Sequence, residues 1–331
     1  IHSEFYQKLA EVAVNIGLNV QENEKINIIM PIYENDEFVE LVKQQVILRK
    51  AQINQIITNK SFGHCICILP QDDSFRYCIF PFPSQEWANA IFGDTENSFQ
   101  QLVTSIEKCV LVDYQILDDE MHRREKILNS LNLKQLICTS QESKTFLTLG
   151  LNKAIWTAGS CKDPKTGVNF WHNIPSFEVF TAPNKYLVDG FVKITKPAIF
   201  NNHQVDDLSF SFKSGIVEEF ECKKEQRDVL EKFFNFYVNA KLLGEVAIVD
   251  KYSPINQQDF IFQNVLLDEN ACCHIAFGKA YDYSGEDKET LNQSNTHQDV
   301  MFGTNDMNIT GITQEDEMIT IMIDGEWELF D

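Results

Sequence analysis

The sequence predicts an α+β protein in which an N-terminal α/β domain is followed by a β-rich C-terminal domain. Helical and strand-like patterns alternate near the start of the chain, which is typical of strand–helix–strand units with a parallel sheet. After about residue 132, short strand-like runs follow one another, with one helical stretch among them. We therefore predict an α/β domain with a parallel sheet at residues 1–130 and a barrel-like α+β domain at residues 131–331.

The N-terminal elements are predicted from hydrophobic spacing. Apolar residues recur at helical intervals over residues 5–16, and Gly17 supplies a helix stop. Residues 25–32 form an apolar run typical of a buried strand, residues 36–51 carry one apolar helical face, and residues 53–58 form a second strand-like run. This order predicts a parallel strand–helix–strand unit. The glycine-rich loop that binds phosphate does not accompany it, so we predict no nucleotide site here.

The C-terminal elements are predicted mainly from alternation and turns. Helical spacing returns over residues 97–131, and strand-like runs then begin. Apolar residues alternate over 206–222 around a Ser214-Gly215 turn, which predicts a hairpin. One helix is predicted from about residue 224 to 243, and a last hairpin turns at Asp324-Gly325.

Composition excludes two classes of partner. The 28 Lys+Arg are outnumbered by 49 Asp+Glu, for a formal net charge of -21. Such an acidic surface repels phosphate backbones and anionic lipids, so we expect neither nucleic acid nor a membrane as partner. The first residues are amphipathic and unlike a signal peptide, and the nine cysteines are scattered, which favours reduced thiols in the cytoplasm.

The segment LLDENACCHIAFGKAY at residues 266–281 concentrates potential metal ligands. In an extended chain His274 shares a face with Cys272 and Ala276, whose small side chains leave room beside the imidazole. Structural zinc sites usually pair cysteines as C-x2-C, whereas Cys272 and Cys273 are adjacent. We interpret both as small buried hydrophobic residues, with a strained redox disulfide as the alternative.

Four more residues fit a site of carboxylates and imidazoles. His297 and Asp299 are two apart, so on a strand both side chains point to one face and can reach one ion. Glu245 lies in the apolar run LLGEVAIVD, and Glu178 lies among large apolar residues. A buried carboxylate is costly unless it is paired or bound to a metal. Each pattern alone also fits an ordinary surface or core position.

Taken together and in order, these segments resemble the thermophilic-type metalloaminopeptidase family known as aminopeptidase T, aminopeptidase S and PepS. The resemblance covers about residues 83–331, and the helix–strand segment near the start of the chain is also similar. The similar blocks are PSQEWANAIF (83–92), NIPSFEVFTAP (173–183), VDGFVKITKPA (188–198), LLGEVAIVD (242–250), NVLLDENACCHIAFGKAY (264–281) and SNTHQDVMFG (294–303).

The resemblance implies a metal-dependent aminopeptidase that releases N-terminal residues from peptides, forms a homodimer and holds two divalent ions in its C-terminal domain. Zn, Co, Mn and Mg all suit oxygen and nitrogen ligands. The implied ligands are Glu178, Glu245, Glu269, His274, His297 and Asp299, and Tyr281 is the implied catalytic tyrosine. As a mechanism, we expect Glu178 to take a proton from a water that the two ions activate, and Tyr281 to hydrogen-bond the oxyanion.

Three features of the chain qualify the resemblance. The family often has two consecutive glutamates where this chain has Phe177-Glu178, and the region between Thr58 and Pro83 is shorter than the family leads us to expect. Two alternatives therefore stay open: a catalytically impaired relative that binds peptides or assembles, and a metallohydrolase acting on another amide. Glu269 and His274 are also five apart, so both can bind metal only if the chain bends between them, most simply near Asn270.

Overall fold

The computed structural model describes residues 2–31, 36–59, 63–72, 75–201 and 203–329, and over these the α+β fold is confirmed. The chain divides into two compact units, each made of discontinuous segments. The first unit comprises residues 1–118, 159–176 and 258–267, and the second comprises residues 119–158, 177–257 and 268–331. The domain boundary at residue 130 stays a prediction. Ile32, the end of the first predicted strand, lies outside the described residues.

The first unit contains a four-stranded sheet. Its elements are α1 (His2–Val12), β1 (Lys25–Met30), α2 (Asp36–Leu48), β2 (Gln52–Thr58), β3 (Cys65–Pro70), β4 (Cys78–Pro81), α3 (Gln85–Phe92) and α4 (Ser98–Val110), and α5 (Tyr114–Ser130) starts in this unit. The strand order is β2-β1-β3-β4. The parallel β1–α2–β2 unit is confirmed, but β3 and β4 are antiparallel, so the sheet is mixed. The short connections before β3 and β4 cannot make the long crossover that a parallel pairing requires.

The second unit is built on two larger antiparallel sheets, ordered β15-β14-β11-β6-β5-β19-β20-β21 and β18-β17-β16-β10-β7. The remaining elements are β5 (Leu133–Ser140), β6 (Thr145–Gly150), β7 (Thr157–Ala158), β8 (Cys161–Lys162), β9 (Asn169–Phe170), β10 (Glu178–Thr181), β11 (Val188–Lys193), β12 (Ala198–Phe200), β13 (His203–Val205), β14 (Ser209–Lys213), β15 (Ile216–Glu221), α6 (Arg227–Phe236), β16 (Leu243–Val249), α7 (Val265–Asp268), β17 (His274–Gly278), β18 (His297–Met301), β19 (Asn308–Thr313), β20 (Met318–Ile323) and β21 (Glu326–Trp327). The pair β8–β9 belongs to the first unit, as do residues 265–267 of α7. No strand pairing among the described residues closes either sheet, so the barrel-like form is not confirmed.

Aromatic residues fill the core of the second unit. Phe277 on β17 is fully buried, and its ring centroid lies 4.7 Å from that of Phe210, 6.0 Å from that of Phe212 and 5.5 Å from that of Phe234. Such ring pairs each contribute about 0.5–1.5 kcal/mol beyond the area they bury. One face of β17 is therefore held in the core, as alternation predicted, and the opposite face is left for polar residues.

Both predicted hairpins are confirmed, and their turns use positive φ angles. Ser214 and Gly215 have φ of 49° and 87°, and Asp324 and Gly325 have φ of 48° and 75°. The predicted helix is wrong at its end, because α6 stops at Phe236 and the next residue is already extended. The chain must unwind there to enter β16. Among the described helices, none is both long and apolar enough to span a bilayer.

Asp306 ties the β5–β6 turn to the loop before β19. Its carboxylate accepts hydrogen bonds from the hydroxyls of Ser140 (2.6 Å) and Thr304 (2.6 Å) and from the backbone N–H groups of Gln141 (2.9 Å) and Glu142 (3.0 Å). Burial alone raises the pKa of Asp306, but these donors outweigh it and lower the pKa to about 2.

We expect Asp306→Ala to lower the free energy of unfolding by about 1–3 kcal/mol at pH 7, the usual cost of losing hydrogen bonds to a charged group. Because the pKa is lowered on folding, the contribution is complete above the unfolded pKa of about 3.9 and is lost as the pH falls toward 2. Urea titrations at pH 7 and pH 3 measure the difference, and Glu289→Ala, which removes an exposed carboxylate, is the control. An equal loss at both pH values would contradict this account.

Candidate functional site

The five-stranded sheet carries the predicted polar residues on one face. In antiparallel pairs, residues directly opposite each other share a face. Glu245 on β16 lies opposite Ala276 on β17, which in turn lies opposite Asp299 on β18, and His297 lies two residues before Asp299. His274 lies two residues before Ala276 on the same face of β17.

A β-bulge directs Glu245 onto this face. Leu243 pairs with Phe277 on the core side, whereas Glu245 pairs with Ala276 on the site side, and the register shifts between them. In a regular strand residues 243 and 245 would point the same way. The bulge falls at Gly244, where an added Cβ would lie 2.5 Å from the carbonyl oxygen of Gly278. Glycine at this position therefore permits the close backbone approach that re-aims the carboxylate.

Five side chains converge into two groups that share Glu245. In the first group, Nε2 of His274 lies 3.1 Å from Oε2 of Glu178 and 3.5 Å from Oε1 of Glu245. In the second, Nε2 of His297 lies 3.7 Å from Oε2 of Glu245 and 3.3 Å from Oδ1 of Asp299. Glu245 thus presents one carboxylate oxygen to each group.

Small residues flank His274 on this face of the sheet. Ala276 separates His274 from Gly278 along β17, and Ala247 lies opposite His274 on β16. Any larger side chain at either alanine would project into the space between the carboxylates and imidazoles. The expectation that small neighbours leave room beside His274 stays a prediction.

The hydrogen bonds of the two histidines suit a metal site. Nδ1 of His274 lies 3.3 Å from the carbonyl oxygen of Cys272, and Nδ1 of His297 lies 2.8 Å from that of Lys279. A carbonyl only accepts, so each Nδ1 carries the proton, and in the neutral ring Nε2 presents a lone pair to the carboxylates. This is the arrangement in which metal-bound histidines are usually held.

The Glu178 carboxylate is a second indication that a cation fits this cluster. Its side chain is 9% exposed, and Oε2 has no aligned hydrogen-bond donor among the described residues, although Nε2 of His274 lies close. A buried carboxylate oxygen left in this state is costly. A cation between Glu178, Glu245 and His274 would satisfy it, and the oxygen and nitrogen donor set suits a divalent ion.

The cluster strongly perturbs its own ionisation. Burial raises the pKa of Glu245 against the opposing effect of His274. Burial alone would lower the pKa of both histidines. The facing carboxylates, however, raise the pKa of His274 well above 6.5. Asp299 has the larger part in raising the pKa of His297 to about 10. The pKa of Asp299 is lowered, because His297 outweighs its burial. A cation that binds the two imidazoles would first have to displace the protons that these shifts favour.

Glu269 lies beside the two groups but belongs to neither. Burial raises the pKa of its carboxyl well above the usual value, and Asp299 and Glu178 raise it further, so its charge lies within reach of both groups. The bend predicted between Glu269 and His274 is confirmed, since Glu269–Ala271 forms a 3-10 turn before β17. A ligand role for Glu269 stays a prediction.

Tyr281 lies at the edge of the cluster, three residues beyond the end of β17. Its ring centroid is 5.5 Å from that of His297, and its side chain is 38% exposed. Cys272 and Cys273 are both buried, in agreement with their interpretation as small core residues. Tyr281 therefore lies at the rim of the cluster, whereas the two cysteines are buried.

Asn270, which the sequence analysis names only as the place of a bend, makes a hydrogen bond to the residue before Glu178. It is fully buried, its side-chain oxygen accepts a 2.6 Å hydrogen bond from the backbone N–H of Phe177, and its carbonyl accepts one from Ser253. It therefore connects the turn that holds Glu269 to the residue preceding Glu178. A buried asparagine within a turn is the only sequence signal for this role, and it is a weak one.

We expect Asn270→Ala to lower the affinity for zinc, measured by calorimetry, about 10–100-fold, the range for residues that orient metal ligands, because it frees the strand that carries Glu178. Asn308→Ala is the matched control and should lower only the melting temperature, because it removes hydrogen bonds to the carbonyl of Asp306, in the loop before β19, and from the N–H of Asp324. Unchanged zinc affinity for Asn270→Ala alongside a lowered melting temperature would show that Asn270 serves the fold alone.

The α+β fold and this cluster define a protein with a carboxylate–imidazole centre suited to divalent cations. A sequence model of the thermophilic metalloprotease (M29) family matches residues 69–327. Aminopeptidase 2 of Geobacillus stearothermophilus is 32% identical over 270 residues, which are 76% of this chain and 65% of that protein. Aminopeptidase T of Thermus aquaticus is 31% identical over 269 residues, again 76% of this chain and 65% of that protein.

The fold is also that of a solved structure. Wild-type AmpT from Thermus thermophilus superposes with a TM-score of 0.86 at 24% identity, over 99% of this chain and 100% of that chain. The chain belongs to the thermophilic metalloprotease (M29) family. It spans 65% of the length of the two curated relatives.

Proposed function

We propose that the chain is a metal-dependent aminopeptidase that hydrolyses the first peptide bond of peptides. The observation that carries the proposal is Glu245, whose two carboxylate oxygens face two separate groups of carboxylate and imidazole ligands. Glu245 would therefore help to hold an ion in each group. Membership of the M29 family and relatives named as aminopeptidases support the same activity.

Two divalent ions fit the charge of the proposed ligands. Glu178 and His274 would hold one ion, His297 and Asp299 the other, with Glu245 shared and Glu269 completing the set. Four carboxylates and two neutral imidazoles balance two divalent charges. When bound, the ions would supply Lewis acidity to the substrate carbonyl and to a water molecule. Zn, Co, Mn and Mg are all compatible with these donors.

The chain's own residues would bind the substrate and move its protons. Glu178 would also accept a proton from the attacking water and return it to the leaving amine. The phenol of Tyr281 would donate a hydrogen bond to the developing oxyanion. The surrounding carboxylates would hold the α-ammonium group, which restricts cleavage to the N-terminal residue. A cytoplasmic location and a homodimer are further parts of this proposal.

Metal content and hydrolysis of leucyl- and arginyl-amide reporters, measured on one sample with and without added Co or Zn, test the proposal. We expect two ions per chain and cleavage that added metal restores. Two ions without cleavage of either reporter would favour a peptide-binding relative, consistent with Phe177 in place of a second glutamate, or a different amide substrate. Failure to bind any metal at saturation would refute the site itself.

A further inference from the structure

Three aromatic rings border the candidate site and have no part in holding a metal. The ring centroids of Tyr281 and Tyr283 are 5.3 Å apart at an interplanar angle of 15°, so the two rings stack. Phe180 meets both, at 5.9 Å from Tyr281 and 6.5 Å from Tyr283. We call Phe180, Tyr281 and Tyr283 the aromatic wall. It reaches the ligand cluster directly, because the ring of Tyr281 lies 5.5 Å from that of His297.

The wall stands on the same sheet face as the cluster. Phe180 lies two residues after Glu178 on β10, so both side chains project from that face. Phe180 also lies opposite Ala247, which in turn lies opposite His274. The wall therefore connects the strand of Glu178 to the ring of His297 along one side of the cluster.

Hydrogen bonds fix the loop that carries the two tyrosines. The N–H of Ser284 donates to the carbonyl of Tyr281 at 3.0 Å, and the carbonyl of Ser284 accepts from the N–H of Ile155 at 3.0 Å and from the hydroxyl of Thr181 at 3.1 Å. Ser284 itself is 1% exposed. The loop is thus joined to β10 next to Phe180, and the wall is held in place before any ligand arrives, which lowers the cost of binding.

The wall is also open to solvent. Tyr281, Tyr283 and the neighbouring Ile155 are each 38% exposed, so an apolar surface is available beside the cluster. Charged side chains gain little binding free energy from such a surface. Apolar and planar side chains gain more, because they bury apolar area and contact the ring faces.

We propose that the aromatic wall binds the side chain of the substrate's N-terminal residue and selects peptides that begin with a large apolar or aromatic residue over those that begin with glycine. This inference rests on the proposed aminopeptidase function. A substrate whose α-amine and first carbonyl lie at the cluster has its first side chain within reach of the adjoining rings. Phe180 and Tyr283 are then specificity determinants, while Tyr281 also serves the chemistry.

The test compares Phe180→Ala and Tyr283→Ala with the wild type on phenylalanyl, leucyl, alanyl and glycyl p-nitroanilides. Binding of L-phenylalanine and glycine, the corresponding products, is measured in parallel by calorimetry and does not depend on turnover. We expect each variant to lower the phenylalanine-to-glycine ratio, in kcat/KM and in affinity, about tenfold, as for loss of an aromatic contact. Tyr252→Ala, at a tyrosine 59% exposed and bonded to Glu326, should leave the ratio unchanged.

The outcomes separate this inference from the function on which it rests. A wild type that hydrolyses none of the anilides contradicts the proposed function, while the ratio of product affinities still decides the role of the wall. A wild type that binds phenylalanine and glycine equally, or variants that keep the wild-type ratio, would overturn the inference. Tyr283 is the more exposed position, so its variant remains informative if Phe180→Ala does not fold.

Discussion

Replacing Glu245 by glutamine is expected to abolish hydrolysis and to lower metal affinity by more than about 100-fold, beyond the 10–100-fold loss typical of residues that only orient the ligands. Glu245 is the one carboxylate that both ligand groups share, so the change weakens both at once. An amide offers one neutral oxygen to one group and an N–H donor to the other, which repels a cation.

The same substitution is expected to leave the fold intact. Without metal, Glu245 is a buried carboxylate, and burial raises its pKa because a buried charge is costly. A neutral amide of equal size does not carry that cost. The melting temperature of the metal-free variant should therefore equal or exceed that of the metal-free wild type. Metal content by mass spectrometry, hydrolysis of a leucyl amide and thermal unfolding together separate loss of the site from loss of the fold.

Glu219→Gln is the matched control for Glu245→Gln. It makes the same change of charge at an exposed glutamate on β15, in the other sheet of the second unit. Wild-type metal content and activity are expected for it. If Glu245→Gln kept two ions and full activity, the shared carboxylate would have no role and the dinuclear arrangement would have to be abandoned.

Local patterns predicted the parts of the site that lie on single strands. The spacing of two between His297 and Asp299 placed them on one face of β18. The need for a bend before His274 also followed from spacing alone, and the 3-10 turn at Glu269–Ala271 supplies it. These inferences depend only on the period of a strand, which a sequence shows directly.

Features that depend on pairing between distant strands were not predictable. The bulge that turns Glu245 toward the site exists because β16 pairs with β17, and the contact between Asn270 and Phe177 joins residues 93 positions apart. The mixed first sheet has the same origin, since the sequence showed the strand–helix–strand unit but not the partners of β3. One sequence without its relatives carries no record of such contacts.

Loading the metal-free protein with metal is expected to release protons and to become more favourable as the pH rises. The carboxylates that face the histidines raise the pKa of His297 to about 10 and that of His274 well above 6.5, so both imidazoles carry an extra proton at pH 7. A cation can occupy their Nε2 positions only after those protons leave. Each displaced proton changes the apparent binding constant by about tenfold per pH unit.

The stability of the two forms should diverge in the same pH range. Because the pKa of His297 is raised on folding, its contribution to the metal-free protein is complete below about pH 6.5 and is lost as the pH approaches 10. The metal-loaded protein would hold neutral imidazoles, so its stability does not include this contribution and does not fall with it. The difference in melting temperature between the loaded and metal-free forms is therefore expected to grow from pH 6 to pH 9.

Calorimetric zinc titrations in buffers of different ionisation enthalpy count the released protons. His297→Asn should reduce the count by about one, since its side chain brings no proton to displace. His203→Asn, at an exposed histidine on β13, should leave the count unchanged. A count of zero with a pH-independent affinity between pH 6 and pH 9 would mean that zinc binds elsewhere, and that the two imidazoles form ion pairs with Glu178 and Asp299 as a structural feature of the sheet.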